Sequence, residues 1–444
     1  MDRFYFADTA RGTYAIGMNW EQTTVDLYSF SSDDWDDDPV TVAGERVVPW
    51  GPDNNFPDNV RRMLERNNLG PGVLDRKVGL LYGQGPMLYT DELVDGQPSR
   101  RWTADADVQQ WLDSWDYRDY IRHCLVEYTR LNGHFTRYVM GKGHRIGQTW
   151  VARLECEPSA DCRLVWPNDD RRRLSAVTHI LVGRFDSYRQ QTYRRYPVLG
   201  TRAAERASSA MAYHCLRSFG RNFYAMSSFM GSMPWLRNAN DLPEIIRRLN
   251  ENLIAAAYIV HCPQEYWAAK RAKLEEQHPD WQEADYHTAM ERLRQELTQT
   301  IAEVMSGKEN AGKFFQCVDF VDPSTGTQQK WAIEPIEMNI DKYIDAQAKI
   351  SRIADSSTTS GFGLSPALAN IIIDGKSDSG SQMLYALKIF YGADTQIPEE
   401  IALEGINRAL RINFPDKRLR MGLYRQAIQR EENLTASARM TNNL

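Results

Sequence analysis

Two apolar stripes at helical spacing constrain this chain more than any other feature of its sequence. Leu242, Ile245, Ile246, Leu249, Leu253 and Ile254 recur at helical intervals around Pro243, a residue suited to the first turn of a helix. Met290, Leu293, Leu297, Ile301 and Val304 form a second stripe, with Glu291, Arg292, Arg294 and Glu296 off it. A helix with one wet and one apolar face must bury the apolar one, so both stripes predict amphipathic helices packed on a core or on each other. The rest of the chain has to supply those partners.

It has enough material to do so. With 444 residues, 42% of them hydrophobic and 25% charged, the composition is that of a soluble globular protein of roughly three domains or one elaborate domain, at about 150 residues each. Small disulfide scaffolds and wholly disordered chains are excluded. The longest uncharged apolar stretch, Leu253 to Val260, is far short of the roughly 18 residues of a candidate membrane span. The opening Met1-Asp2-Arg3 builds no basic and then apolar leader, so a reducing cytoplasm is the expected place of synthesis and residence.

The six cysteines, Cys124, Cys156, Cys162, Cys215, Cys262 and Cys317, contain no CxxC pair and favour free buried thiols. Three of them follow a histidine directly, at His123-Cys124, His214-Cys215 and His261-Cys262. Adjacent residues on a helix point apart, so no such pair offers two converging ligands. The sequence therefore predicts core thiols and no metal site.

Along the chain, residues 1–45 contain the acidic run Asp33-Asp34-Trp35-Asp36-Asp37-Asp38 and read as a loosely packed arm. A turn-rich stretch, Trp50 to Asp58, precedes a helix from Val60 to Asn67 that Gly70-Pro71 stops. Val73 to Tyr82 is mostly apolar and ends at Gly83-Gln84-Gly85-Pro86, where an extended pattern resumes. Val108 to Leu131 reads as one helix, and the segment from Phe135 to Glu155, turning over at Gly141-Lys142-Gly143, as a β-hairpin. Strands follow from Cys162 to Val182, and helices dominate beyond Arg202. Short extended pieces from Phe314 to Phe320 and from Trp331 to Ile336 come before a helix from Ile340 to Ala354. Two small-residue loops, Ser356 to Gly363 and Asp374 to Ser381, lead to helices over Met383 to Tyr391 and Pro398 to Ile412, with a polar tail from Arg430.

Several chemistries are missing. There is no GxxxxGK[ST] phosphate loop, and Gly83-Gln84-Gly85 lacks the third glycine of a dinucleotide fingerprint. HExxH, the GxSxG nucleophile elbow and EF-hand spacing are also missing. These gaps predict no catalytic residues, no cofactor and no enzyme activity. Charge is more informative. Between Asp241 and Asp355 there are 20 acidic and 13 basic side chains, so this segment carries −7 of a total of −6 and the remainder is near +1. A surface built to grip DNA is basic, because phosphate contacts supply most non-specific affinity. An acidic helical region suits a passage along which DNA slides.

Taken in order, the segments resemble the portal proteins of tailed bacteriophages. The stretches that carry the resemblance are Leu80-Leu81-Tyr82-Gly83-Gln84-Gly85, the helix running into Leu131-Asn132-Gly133-His134-Phe135, Ile350-Ser351-Arg352-Ile353-Ala354 followed by Gly361-Phe362-Gly363-Leu364-Ser365-Pro366, and Ser379-Gly380-Ser381-Gln382-Met383-Leu384. Each is weak alone, and their order over residues 50 to 415 carries the inference.

The resemblance implies an α+β, predominantly helical fold with an α/β wing, a two-helix stem and an inserted clip. After the 1–45 arm, its parts are a wing over 46–237, stem helix 1 over 238–262, a clip over 263–338 enlarged by the charged helix around Trp281 to Ser306, stem helix 2 over 339–356, a tunnel loop and wing helix over 357–415, and a crown-like or frayed tail over 416–444. It further implies a homo-oligomeric ring, usually a dodecamer, at one vertex of the virion capsid. Double-stranded DNA would pass through the ring during packaging and ejection. The terminase large subunit, major capsid and scaffold proteins and a head-tail adaptor are the implied partners, with no membrane. The tunnel loop would be Ile373, Asp374, Gly375, Lys376, Ser377, Asp378, Ser379 and Gly380, with Lys376 nearest the DNA, and the stem would turn Glu244, Glu251 or Asp341 towards the lumen. A phage DNA-processing enzyme and a non-catalytic head-tail adaptor stand as alternatives.

Overall fold

The structure is a computed structural model that describes residues 4–9, 12–17, 38–141, 150–168, 171–185, 192–252, 258–261, 264–305, 320–321, 328–329, 332–335, 340–369 and 380–426. It is α+β with helix predominating, as the sequence predicts. In chain order the first part contains β1 (Phe4–Thr9), β2 (Gly12–Gly17), β3 (Val40–Val42), β4 (Glu45–Val47), α1 (Phe56–Glu65), α2 (Gly70–Tyr82), β5 (Gly85–Val94), β6 (Gln97–Thr103), α3 (Ala106–Asp113) and α4 (Tyr117–Leu131). Next come β7 (Gly133–Met140), β8 (Val151–Glu157), β9 (Cys162–Leu164), β10 (His179–Val182), β11 (Arg194–Pro197) and β12 (Ser209–Cys215). The second part contains α5 (Met233–Asn252), β13 (Tyr258–His261), α6 (Gln264–Gln277), α7 (Glu283–Met305), β14 (Phe320–Val321), β15 (Gln328–Gln329), β16 (Ala332–Pro335), α8 (Ile340–Gly361) and α9 (Pro366–Ala369). The chain ends with α10 (Gly380–Ile389), one π-helical turn over Phe390–Asp394, α11 (Gln396–Asn413) and β17 (Arg420–Tyr424).

Two compact units result. The first comprises residues 1–65, 74–228 and 383–444, and the second comprises 66–73 and 229–382. In the first, three small antiparallel sheets have the orders β12-β7-β8, β11-β10-β9 and β17-β5-β6. The hairpin read around Gly141-Lys142-Gly143 exists as the β7–β8 pair, from Phe135 opposite Glu157 to Met140 opposite Val151. α4 and α11 both pack on the β12-β7-β8 sheet. Their approach is close at Gly405, where a Cβ would lie 2.1 Å from the Tyr120 hydroxyl and 2.9 Å from Thr136 Oγ1. Only glycine leaves that space.

A buried cation organises the aromatic core of this unit. Arg163 is fully buried, no carboxylate among the described residues takes part in its hydrogen bonds, and burial holds its pKa below the usual arginine range. Its guanidinium donates to Asn54 Oδ1 (2.7 Å), Asn54 O (2.6 Å), Cys162 O (2.7 Å), Ala160 O (3.1 Å) and Ser159 O (3.3 Å). Trp50 lies beside it and stacks on Tyr224 at 4.1 Å. The Tyr224 hydroxyl donates to Val48 O and accepts from Leu164 N, which sews the 48–56 turn to β9.

A second polar tie fixes the C-terminus. Glu399 on α11 is buried and accepts from Arg100 (2.5 Å), Arg425 (2.6 Å) and Leu423 N (3.2 Å). Glu399 thus joins α11 to both outer strands, β6 and β17.

Several sequence expectations change. Val108 to Leu131 is two helices, because Asp116 accepts from Asp119 N and so starts α4 with a side-chain cap. Gly70-Pro71 opens α2 rather than only stopping α1, with Asn67 Oδ1 capping Leu69 N and Gly70 N. The 1–45 arm contains the paired strands β1–β2, and its end enters β3–β4, whose Val47 packs with Val165 and Leu181. The 416–444 tail begins with β17, where Met421 and Leu423 are buried and a Cβ on Gly422 would lie 2.8 Å from the Tyr89 ring. A five-residue strand with two apolar positions was too short to detect.

Replacing Arg163 with methionine keeps much of the volume but strands five acceptor contacts in the core. We expect a loss of about 3 kcal/mol in urea unfolding, against less than about 1 kcal/mol for an exposed arginine such as Arg122 changed in the same way.

Candidate functional site

The predicted stem and clip fall in the second unit, and α5, α8 and the segment between them define the candidate site. α5 and α8 pack against each other. Met233 and Leu236 of α5 are buried, as are Ala354, Thr358 and Thr359 of α8. At the junction, Ser232 Oγ donates to Ser357 O (3.0 Å) and Phe229 meets Phe362 edge to face at 5.0 Å. Gly361 makes the contact possible, since a Cβ there would stand 2.3 Å from Ser232 Oγ.

The helix read as ending at Ala354 continues to Gly361, and the loop predicted from Ser356 to Gly363 is therefore mostly helical. Within it Thr359 Oγ1 donates back to Asp355 O at 2.7 Å, so that hydroxyl is satisfied by its own helix. In the stretch expected as stem helix 2, 339–356, the helix runs Ile340–Gly361, and in that expected as stem helix 1, 238–262, it runs Met233–Asn252, with Tyr258–His261 a strand. Pro243 lies inside α5, not at its start. Asn67 Nδ2 donates to Asn240 Oδ1 (2.8 Å) just before that proline.

β13 pairs with β16, from Tyr258 opposite Pro335 to His261 opposite Ala332, so the inserted segment leaves and returns at one place. Within it α6 and α7 pack together. Leu293 and Leu297 of the predicted stripe line a cleft of about 190 Å³ with Tyr266, Trp267, Lys270 and Glu296. Arg271 bridges to Glu283 (2.6 Å) and Glu275 (3.0 Å), and Trp281 stacks on His278 at 4.1 Å. Most side chains of α6 and α7 that the structure describes are exposed, including acidic Glu275, Glu276, Glu283 and Glu291.

The predicted lumen residues fare differently. Glu244 lies on α5 and accepts two hydrogen bonds from Arg247, at 2.9 and 2.7 Å, so its charge is compensated within its own helix. Glu251 and Asp341 lie within α5 and α8, and their side chains fall outside the described residues. Ile373, Asp374, Gly375, Lys376, Ser377, Asp378 and Ser379 also lie outside the described residues, and Gly380 opens α10.

What sequence reasoning missed is the outer face of the helix pair. The stripe on α5 predicts that Ile245 and Ile246 are buried with Leu242. Leu242 is, but Ile245 and Ile246 are 40% and 41% exposed. On α8, Ile350 and Ile353 are 37% and 52% exposed. Helical periodicity identifies an apolar stripe without distinguishing an intrachain partner from another molecule, so only the packed structure reveals this residue set. No helix among the described residues is long and apolar enough to cross a membrane.

No protein-family model matches the chain, and no curated protein matches it. Among solved structures, it is similar to chains of a virion of a native gene transfer agent particle, of the neck of an empty gene transfer agent particle computed with C6 symmetry, and of the neck of the native particle computed with C12 symmetry. The TM-scores are 0.48, 0.49 and 0.47, each at 11% identity and over 89% of this chain and 88% of the other.

Gly361→Ala should force Ser232 aside and cost about 1–3 kcal/mol in thermal or urea unfolding. Adding Ser232→Gly should return most of that loss, which a double-mutant cycle measures.

Proposed function

We propose that the chain is a portal protein: a ring-forming subunit at a capsid vertex through which double-stranded DNA is packaged and ejected, with no catalytic role of its own. The observation that carries this reading is the pair of long helices α5 and α8, which bury one side against each other and leave Ile245, Ile246, Ile350 and Ile353 on the surface of a single chain. Large exposed apolar residues on regular elements mark surfaces that another molecule covers. Repeated head to tail, such a surface gives a heterologous interface, which closes into a ring when its rotation closes.

Three further features support the reading. The segment between the helices is acidic and largely wet, as suits a clip that docks other proteins and does not hold DNA. Its return through β13 and β16 makes it a self-contained insertion on the stem. The motif order along residues 50 to 415 resembles that of portal proteins. The terminase large subunit and a head-tail adaptor are then the partners of the α6–α7 insertion, and the segment around Lys376 is the tunnel loop.

Mass photometry of the purified full chain tests this directly. The expected result is a discrete species near twelve times the 51.1 kDa monomer mass, with a central hole in end-on electron micrographs. Ile353→Asp should shift the population to monomers without lowering the monomer's melting temperature. A chain that stays monomeric at all salt and protein concentrations, and also when co-expressed with capsid and scaffold proteins, would overturn the reading.

A further inference from the structure

The core of the first unit gathers three donor side chains that the sequence keeps far apart. Cys124 comes from α4, His134 from β7 and Cys156 from β8, and one donor atom of each lies within 4.8 Å of the other two. The register explains the meeting. Thr136 and Cys156 are direct partners across β7 and β8, so their side chains share a face of the sheet, and His134, two residues before Thr136, lies on that face too. α4 covers it, and Cys124 follows Tyr120 by one helical turn on the buried side.

The surroundings prepare His134 as a ligand. Its Nε2 donates to the carbonyl of Ile401 on α11 at 3.0 Å. A carbonyl only accepts, so Nε2 carries the proton of that bond, and Nδ1, 3.3 Å from Thr136 Oγ1, is the nitrogen left to take a metal. A metal-bound histidine is typically held this way, its outer N–H tied to a backbone carbonyl that fixes ring and tautomer. His134 and Cys124 are fully buried, and Cys156 is half-buried.

We propose that Cys124, His134 and Cys156 form a structural zinc site that pins α4 to the β7–β8 hairpin. Two thiolates and a neutral imidazole around Zn²⁺ make an uncharged group, which a buried site tolerates, whereas Cu⁺ with the same ligands leaves a net negative charge in the core. Zinc at about 2.3 Å from sulfur and about 2.1 Å from nitrogen holds its donors roughly 3.5–3.8 Å apart. The fourth tetrahedral position falls to an oxygen, and the buried Tyr120 hydroxyl, hydrogen-bonded to Thr136 Oγ1 at 2.8 Å, is the candidate donor. Binding displaces the two thiol protons to solvent and needs no redox partner.

The test uses the full-length chain. After reduction and incubation with excess zinc, gel filtration and elemental analysis should find one zinc per chain, and a chelator should lower the melting temperature. Cobalt in its place should give an intense sulfur-to-cobalt charge-transfer absorption. Cys124→Ser and Cys156→Ser should each reduce zinc retention more than tenfold, while Cys215→Ser retains it. Should the serine variants fail to fold, the cobalt spectrum of the unaltered chain decides, since a bound ion without thiolate absorption refutes the assignment. The proposal is overturned equally by a reduced chain that retains less than a tenth of an equivalent of either metal, or by zinc that stays bound when both cysteines are replaced.

Discussion

Arg163 is a full positive charge placed where water does not reach, and the first unit is built around satisfying it. An unpaired buried charge is among the costliest features a fold contains, so groups that can neutralise it are held in place by that cost. Among the described residues no carboxylate hydrogen-bonds to Arg163. Four backbone carbonyls and the Asn54 side chain converge instead. That convergence dictates the path of the 50–56 turn, including the left-handed backbone at Asn54, and of the 159–164 segment. Trp50, Tyr224, Tyr213 and Phe135 then pack as one aromatic cluster around a position already determined by hydrogen bonding. In the same unit Glu399 plays the complementary part, a buried carboxylate matched by Arg100 on β6 and by Arg425 just beyond β17.

The second unit follows a different logic. Its helices are joined by small residues and aromatic edges at one end, where Gly361 lets Ser232 and Phe229 approach α8. Away from that end the same helices carry isoleucines into solvent. A monomer gains nothing from exposing them, and a ring in which each copy covers its neighbour removes that surface from water. The inserted helices α6 and α7 meanwhile carry more acidic than basic side chains.

Legibility in the sequence tracked the range of the interaction responsible. The β7–β8 hairpin, α7 and α11 were readable because their signals are local: alternation, helical spacing and turn residues within one window. The break between α3 and α4 was missed because a single capping aspartate outweighed a continuous apolar pattern. β17 was missed because its strand character comes from the partner β5, and the end of α8 because serine and threonine hydroxyls can bond back to their own helix. The reading of the adjacent His-Cys pairs assumed helices, whereas among the described residues only His123-Cys124 lies on one, α4, and His214-Cys215 ends strand β12. Cys124 meets a histidine ten positions away, and Cys156 thirty-two positions away, through sheet register.

By itself the sequence determined what depends on near neighbours and totals: an α+β chain rich in amphipathic helices, an acidic middle, and no run apolar enough to cross a membrane. Tertiary structure decided what depends on residues far apart in sequence. It chose which face of α5 is buried against α8 and which stays exposed, which carbonyls surround Arg163, and which donors share the space under α4. Periodicity specifies the direction a side chain takes from its own element. What it meets there is set by the packing of all the others.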